Sequence, residues 1–306
     1  MTTFNNLSYA AALLFVASSA QADGLAFDGV MSLSETAFKS DWQSADQIAF
    51  NLVSDIRFSD QFSMGLDLDY GRIGVDGEHA SLNRFQLEPT MHFVNGSYAG
   101  AYYQDASVTV SPLGISLQSY GAFVGYDNKN WSVETYVGTT QLSVFSESVS
   151  STNIGVSGTL RPTDNLEVFG RFDRGQPSDE IGISEMISMS AIGAQYVFPK
   201  GIMAYGVLER FNLMGQYLNG FAVGGGYDLA AYGAKIPGTV TIEFARADAG
   251  QGLTQSQVAV GWLIPLGNGK VQPLSSLART ARGGIRSPLV AGFGDFGLLG
   301  IFNGPI

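Results

Sequence analysis

Residues 48–72, IAFNLVSDIRFSDQFSMGLDLDYGR, read as two extended segments joined by a tight turn. In the first segment Ile48, Phe50, Leu52, Ile56 and Phe58 share one face, and Asn51, Asp55 and Arg57 share the other. In the second, Phe62, Met64, Leu66, Leu68 and Tyr70 are opposed by Ser63, Asp67 and Asp69. Successive side chains of a strand point to opposite faces, so each segment is an amphipathic β-strand. The Asp60-Gln61 pair between them has the chemistry of a short hairpin turn.

The same pattern extends in both directions. Phe85, Leu87, Met91 and Phe93 oppose Arg84, Gln86, Glu88, Thr90 and His92. Tyr120, Ala122, Val124 and Tyr126 share a face, as do Trp131, Val133 and Val137, with Glu134 opposite. Ile154, Val156 and Leu160 follow, then Leu166, Val168 and Phe172 against Glu167, Arg171 and Asp173, a pattern broken by Phe169. Later faces are Ile192, Ala194, Tyr196 and Phe198; Phe221, Val223 and Tyr227; Val240, Ile242 and Phe244; and Val258, Val260, Trp262 and Ile264. Residues 98–110 and 202–211 are strand-like, but their faces are ambiguous.

Turn signals recur at Asn95-Gly96, Asp127-Asn128, Asp164-Asn165, Pro199-Lys200-Gly201, residues 231–233 and Gly267-Asn268-Gly269. Their spacing of roughly 32–36 residues fits two strands of about 10 residues and one longer loop. Residues 75–80 and 174–185 are expected as such loops. Counting from residue 25 to residue 266 gives about fourteen strands, with twelve to sixteen as the range. The Gly224-Gly225-Gly226 run lies inside a strand, where close packing accounts for it.

Composition narrows the environment. Charged residues are only 14% of the chain, against about 25% in soluble domains. No cysteine occurs, which excludes disulfides, thiol catalysis and thiolate metal sites. Two histidines, His79 and His92, are too few for a His-rich metal centre. A net charge of −11 disfavours nucleic acid as a partner. Residues 1–22 read as a secretory signal peptide: an apolar run at 9–16 precedes a small-x-small site, Ala20-Gln21-Ala22, before Asp23. No later run approaches the roughly 18 apolar residues of a membrane-spanning helix.

Three features favour a membrane barrel over a soluble sandwich. The strands are numerous and long, about 9–12 residues, the reach of a tilted strand across a bilayer. Aromatics crowd the turn ends, among them Phe58, Phe62, Phe93, Tyr98, Tyr126, Trp131, Phe198 and Trp262, as an interfacial girdle requires. The face opposite the apolar one carries charge that a dry core would not tolerate unpaired. The strand–turn–strand units FSDQFSMGLDLDYGR (58–72), DNKNWSVETYVG (127–138) and RPTDNLEVFGRFDRG (161–175) resemble those of Gram-negative porins. That resemblance implies an all-β fold, a transmembrane antiparallel up-and-down barrel over residues 23–269, in the cell outer membrane. It implies a water-filled channel for passive diffusion of small hydrophilic solutes and ions, with outer-membrane lipid as surroundings and a homo-oligomer left open. Two features depart from the porin pattern. About forty residues follow the last clear strand, ending in Pro305-Ile306, and no long constriction loop stands out.

If the apolar faces meet lipid, the polar ones line a lumen. The expected pore-lining acids are Asp55, Asp67, Asp69, Glu88, Glu134, Glu167, Asp173, Asp228 and Glu243, and the bases are Arg57, Arg84 and Arg171, a balance of −6. Such a wall predicts a weak preference for cations. The tail, residues 270–306, is basic, with Lys270, Arg279, Arg282 and Arg286 against Asp295. It is expected in the periplasm or loosely docked, with an inward plug or added strands over residues 289–302 as the alternatives. Two other functions compete with this one: a structural or adhesive barrel without a pore, and a lipid hydrolase using His79 or His92. Neither histidine sits in a recognisable catalytic pattern, so no catalytic, cofactor or metal-binding residue is expected.

Overall fold

The alternation is realised as fourteen antiparallel strands in the computed structural model of the protein. The structure describes residues 26–267, apart from 41–43, 76–77, 111–112, 145–146, 179–185, 214, 234–236, 249 and 251–253, and also residues 276–295. Residues 1–22, read as a signal peptide, and Lys270 lie outside the described residues. The strands are β1 (Ala26–Ser40), β2 (Ser44–Ser59), β3 (Phe62–Val75), β4 (Glu78–His92), β5 (Ser97–Val110), β6 (Leu113–Asp127) and β7 (Trp131–Val144). They continue as β8 (Glu147–Thr163), β9 (Leu166–Pro177), β10 (Ile187–Val197), β11 (Ile202–Leu213), β12 (Gln216–Asp228), β13 (Thr239–Asp248) and β14 (Thr254–Leu266). Two short helices follow, α1 (Ser276–Ala281) and α2 (Pro288–Asp295).

Each strand pairs with its sequence neighbours, and β1 pairs with β14 from Gly29↔Leu266 to Ser40↔Gln255. The sheet is therefore a closed ring with no free edge, the form in which β-structure can cross a bilayer. Among the described residues no helix is long and apolar enough to do so. Strands run to 17 residues, longer than expected, and the links between them shorten accordingly. The expected loop at 75–80 is mostly ladder, with Gly74 paired to His79; β9 likewise runs on to Pro177. Backbone pairing does not depend on side-chain polarity, so the strands continue beyond the segment that alternation marks.

The sequence turns lie at one end of the ring, together with the start of β1 and the end of β14. Their polar side chains bind the turn backbone, as Asx and ST turns do. Asn128 Oδ1 accepts from the amides of Asn130 at 2.8 Å and Trp131 at 2.9 Å. Ser59 Oγ accepts from Phe62 N at 3.1 Å. Gly96 takes φ 88°, the left-handed region that a residue with a Cβ avoids.

Strand faces follow the register. Most of the apolar set points out and stays uncovered: Leu208 is 62% exposed, Ile242 60% and Ile154 56%, whereas Leu52 and Leu66 are buried. Such a continuous apolar exterior is out of place in water and suits hydrocarbon. Tyr126 and Trp131 stack at 5.0 Å at the turn end, as do Phe58 and Phe62 at 5.5 Å. The tightly packed interior of the protein is inside the ring.

Candidate functional site

The inner wall is built in rows by cross-strand register. Gln86, Gln104, Ser119, Thr140 and Ser151 stand side by side across β4 to β8. Thr140 Oγ1 donates to Ser119 Oγ at 2.9 Å, and Gln104 donates to Gln86. Asp69 stands opposite Arg84 and forms an ion pair with it, and Arg84 also reaches Asp67 at 3.4 Å. Arg171 pairs with Asp173, which accepts from Tyr136 Oη at 2.7 Å. Tyr205 Oη donates to Glu243 at 2.8 Å.

Inward aromatics follow a simple packing rule. Tyr98, Tyr102, Phe123, Tyr136, Phe169 and Tyr205 each stand directly opposite a glycine: Gly125, Gly121, Gly100, Gly155, Gly193 and Gly224. A Cβ at any of these glycines would strike the facing ring. Each ring therefore lies across the bare backbone of its neighbour, which keeps it close to the wall.

Residues 276–295 lie in the space so enclosed. They touch inward side chains of β3, β4, β5, β7, β9 and β10, which face one another around a closed ring. Only a segment inside can reach all of them. The described residues 276–295 thus lie in the lumen, with Pro288–Asp295 as helix. Local sequence shapes this segment. After α1, Gly283 takes φ 87°, with Gly283 N bonded to Thr280 O at 2.9 Å and Gly284 N to Arg279 O at 3.2 Å, a left-handed helix end. Ser287 then caps α2 through the Val290 amide at 3.4 Å, with Pro288 at the first helical position.

Three arginines fasten the segment to the wall. Arg279 donates from Nη1 and Nη2 to the two oxygens of Asp69 at 2.7 Å each, and from Nη1 to Asp67 at 3.3 Å. Arg282 donates to Glu167 Oε2 and to Gln195 Oε1, both at 2.6 Å, with its guanidinium 4.2 Å from the centre of the Phe169 ring. Arg286 makes a two-pronged contact with Glu134, at 2.9 and 3.0 Å, and an ion pair with Glu88. Its guanidinium sits 4.0 Å from the Phe123 ring centre. Paired guanidinium–carboxylate bonds and an aromatic face are each strong when shielded from water.

Backbone contacts complete the seating. Gln86 Nε2 donates to Gly284 O at 2.9 Å, and Arg171 Nη1 to Thr280 O at 3.2 Å. Thr140 Oγ1 and Ser287 Oγ are 2.9 Å apart. Toward the opposite end, Ile285, Leu289, Val290 and Ala291 pack against inward Ala106, Leu117, Ile187, Met189, Phe211 and Leu218.

The residues expected along the pore distribute as follows. Asp67, Asp69, Arg84, Arg171, Asp173 and Glu243 are buried on the inner face, and Glu88, Glu134 and Glu167 meet the arginines just described. Asp55 and Arg57 pair with each other at 3.4 Å near the turn end, with side chains 40% and 60% exposed. Asp228 caps the turn after β12, accepting from Ala230 N at 2.9 Å. Sequence reasoning missed the inward aromatics, the continuation of the Gln86 row through Gln104, Ser119, Thr140 and Ser151, and Glu209, an inward acid opposite Ala191. It also missed that His92 Nε2 lies 2.9 Å from Ser63 Oγ, on the adjacent strand. Ser63 is buried, and among the described residues no carboxylate bonds the other ring nitrogen of His92. The pair is a polar contact of the wall without the third group that would orient a catalytic base.

Comparison with solved structures follows the same line. An anion-selective porin from Comamonas acidovorans matches over 79% of this chain and 99% of its own, with a TM-score of 0.50 and 10% identity. The barrel has a porin fold. The CymD monoaromatic hydrocarbon channel matches this porin-like barrel over 84% of the chain and 92% of its own, with a TM-score of 0.49 and 11% identity. The KdgM porin covers 76% of the chain and 98% of its own length, with a TM-score of 0.38 and 16% identity. No family model matches the chain, and no curated protein does.

Proposed function

We propose that this chain is a channel of the bacterial outer membrane, passing ions and small hydrophilic solutes by passive diffusion with a weak preference for cations. One observation carries the reading: a closed fourteen-strand wall, apolar outside and with its buried charges inside. Lipid surrounds such a wall, and solutes cross within it. A fourteen-strand ring is wider than the eight-strand barrels that side chains alone can fill. The cation preference rests on the balance left inside: the acids Asp67, Asp69, Glu88, Glu134, Glu167, Asp173, Glu209 and Glu243 outnumber the arginines they face, Arg84, Arg171, Arg279, Arg282 and Arg286. No catalytic residue is assigned.

The test is reconstitution of the purified protein into planar bilayers with a salt gradient across them. A reversal potential of the sign for cation flow is expected. Anion preference would overturn the selectivity, and a protein that inserts but never conducts would overturn the channel. The filled lumen favours a second reading, a barrel without a pore, which predicts no swelling of liposomes in isosmotic sugar solutions.

A further inference from the structure

Asp67, Asp69, Glu88, Glu134 and Glu167, acids expected to attract passing cations, already hold arginines of the same chain. Each of the three seats has a distinct construction. Asp69, with Asp67 beside it, grips Arg279. Glu167 and Gln195 hold Arg282 over the Phe169 ring. Glu134 and Glu88 hold Arg286 over the Phe123 ring. Carboxylate pairs take any cation. A two-pronged carboxylate, as at Asp69 and Glu134, or a flat ring, as at Phe169 and Phe123, selects a planar, delocalised one, because the guanidinium plane matches either and sheds water more readily than an ammonium.

The geometry points to residues 276–295 being a plug latched by these three seats, which solutes bearing guanidinium or related planar cations open by taking the seats themselves. This rests on the channel reading and names its regulation and the solute class it answers to. The energetic logic is that of competition. A cation in solution can bind the wall only where a plug arginine has left, so it binds the unlatched state alone and shifts the population toward it. Inorganic cations of equal strength in solution screen the latch but do not match the rings. The anchoring is divided among three sites, so a partly unlatched plug exposes one seat while the others still hold.

The absence of cysteine from the chain makes a clean test available. Thr140 on β7 and Ser287 on the plug have hydroxyls 2.9 Å apart, so Thr140→Cys with Ser287→Cys places a single crosslink between wall and plug. Full-length protein carrying both changes is reconstituted in planar bilayers and measured oxidised, then reduced, in the same membrane. Conductance is expected to be low when oxidised and to rise severalfold on reduction. Millimolar methylguanidinium chloride should raise open probability further in the reduced form, more than sodium chloride of the same ionic strength, and should have no effect on the oxidised form. A second variant, Arg279→Gln/Arg282→Gln/Arg286→Gln, should conduct without activation. Equal conductance in oxidised, reduced and triply substituted proteins would overturn the plug. Gating by reduction with no advantage of methylguanidinium over sodium would overturn the solute class. Silence of every form after verified insertion would remove the channel reading itself, and the latch with it.

Discussion

Arg279 on the inner segment and Asp69 on β3, 210 positions apart in sequence, meet through two parallel hydrogen bonds of 2.7 Å. Both side chains are nearly out of solvent, and Arg84 and Asp67 share the same cluster. Removing one partner of such a buried pair leaves an uncompensated charge and costs about 3–5 kcal/mol. Asp69→Asn should therefore lower the resistance of the barrel to urea in detergent micelles by an amount in that range. Combining it with Arg279→Gln should recover part of the loss, because neither member then carries charge. Strictly additive losses would show that the two residues do not interact.

Phe169 meets Gly193 below it and Arg282 above it. Phe169→Ala should cost about 3–5 kcal/mol in the same unfolding measurement, since a large inward ring is removed. Phe169→Leu keeps most of the volume and loses the ring face, so it should cost only about 1 kcal/mol. Gly193→Val should destabilise wild-type protein through collision with the ring and be much milder when Phe169 is already alanine. Equal effects of Gly193→Val in both backgrounds would contradict the packing described.

Ile154 lies near the middle of β8 on the outer face and is 56% exposed. Ile154→Lys should cost about 2–4 kcal/mol, measured by reversible unfolding in lipid vesicles, because a cation at mid-bilayer is poorly solvated. Asp55→Asn, at the rim of the inner face, should stay within about 0.5 kcal/mol. The reverse order would place the bilayer elsewhere on the wall.

Trp131 stacks on Tyr126 at the turn end and is 41% exposed. In a Trp42→Phe/Trp262→Phe variant, its fluorescence should be quenched most by phospholipids brominated close to the headgroup and least by those brominated at the chain end. Uniform insensitivity to brominated lipid would remove the girdle.

The fold was readable wherever the two strand faces differ in polarity. The hairpin of residues 48–72 forms with the expected turn and faces, and the turns at 95–96, 127–128, 164–165 and 199–201 all separate strands. Residues 98–110 and 202–211 resisted assignment for a physical reason. Tyr102, Ala106 and Val108 on β5, and Met203, Tyr205, Val207 and Phe211 on β11, point inward although apolar. Ala106 and Phe211 pack on the enclosed segment, and Tyr102 and Tyr205 lie on opposing glycines. Phe169, which broke the alternation of β9, is the ring beneath Arg282. These lapses in alternation were the trace of a filled interior. The placement of Arg279, Arg282 and Arg286 was not readable, because a local pattern carries no information about which distant carboxylates a segment meets.

The seam between β1 and β14 has a temporal meaning. The ring cannot close before residue 266 finds Gly29, and the segment that fills it hangs from that same strand, at the end where both termini of the wall lie. Closing the wall and filling it are thus the work of one end of the chain. Closure and sealing are separable events, and a molecule in which sealing lags behind closure is an open cylinder for that interval.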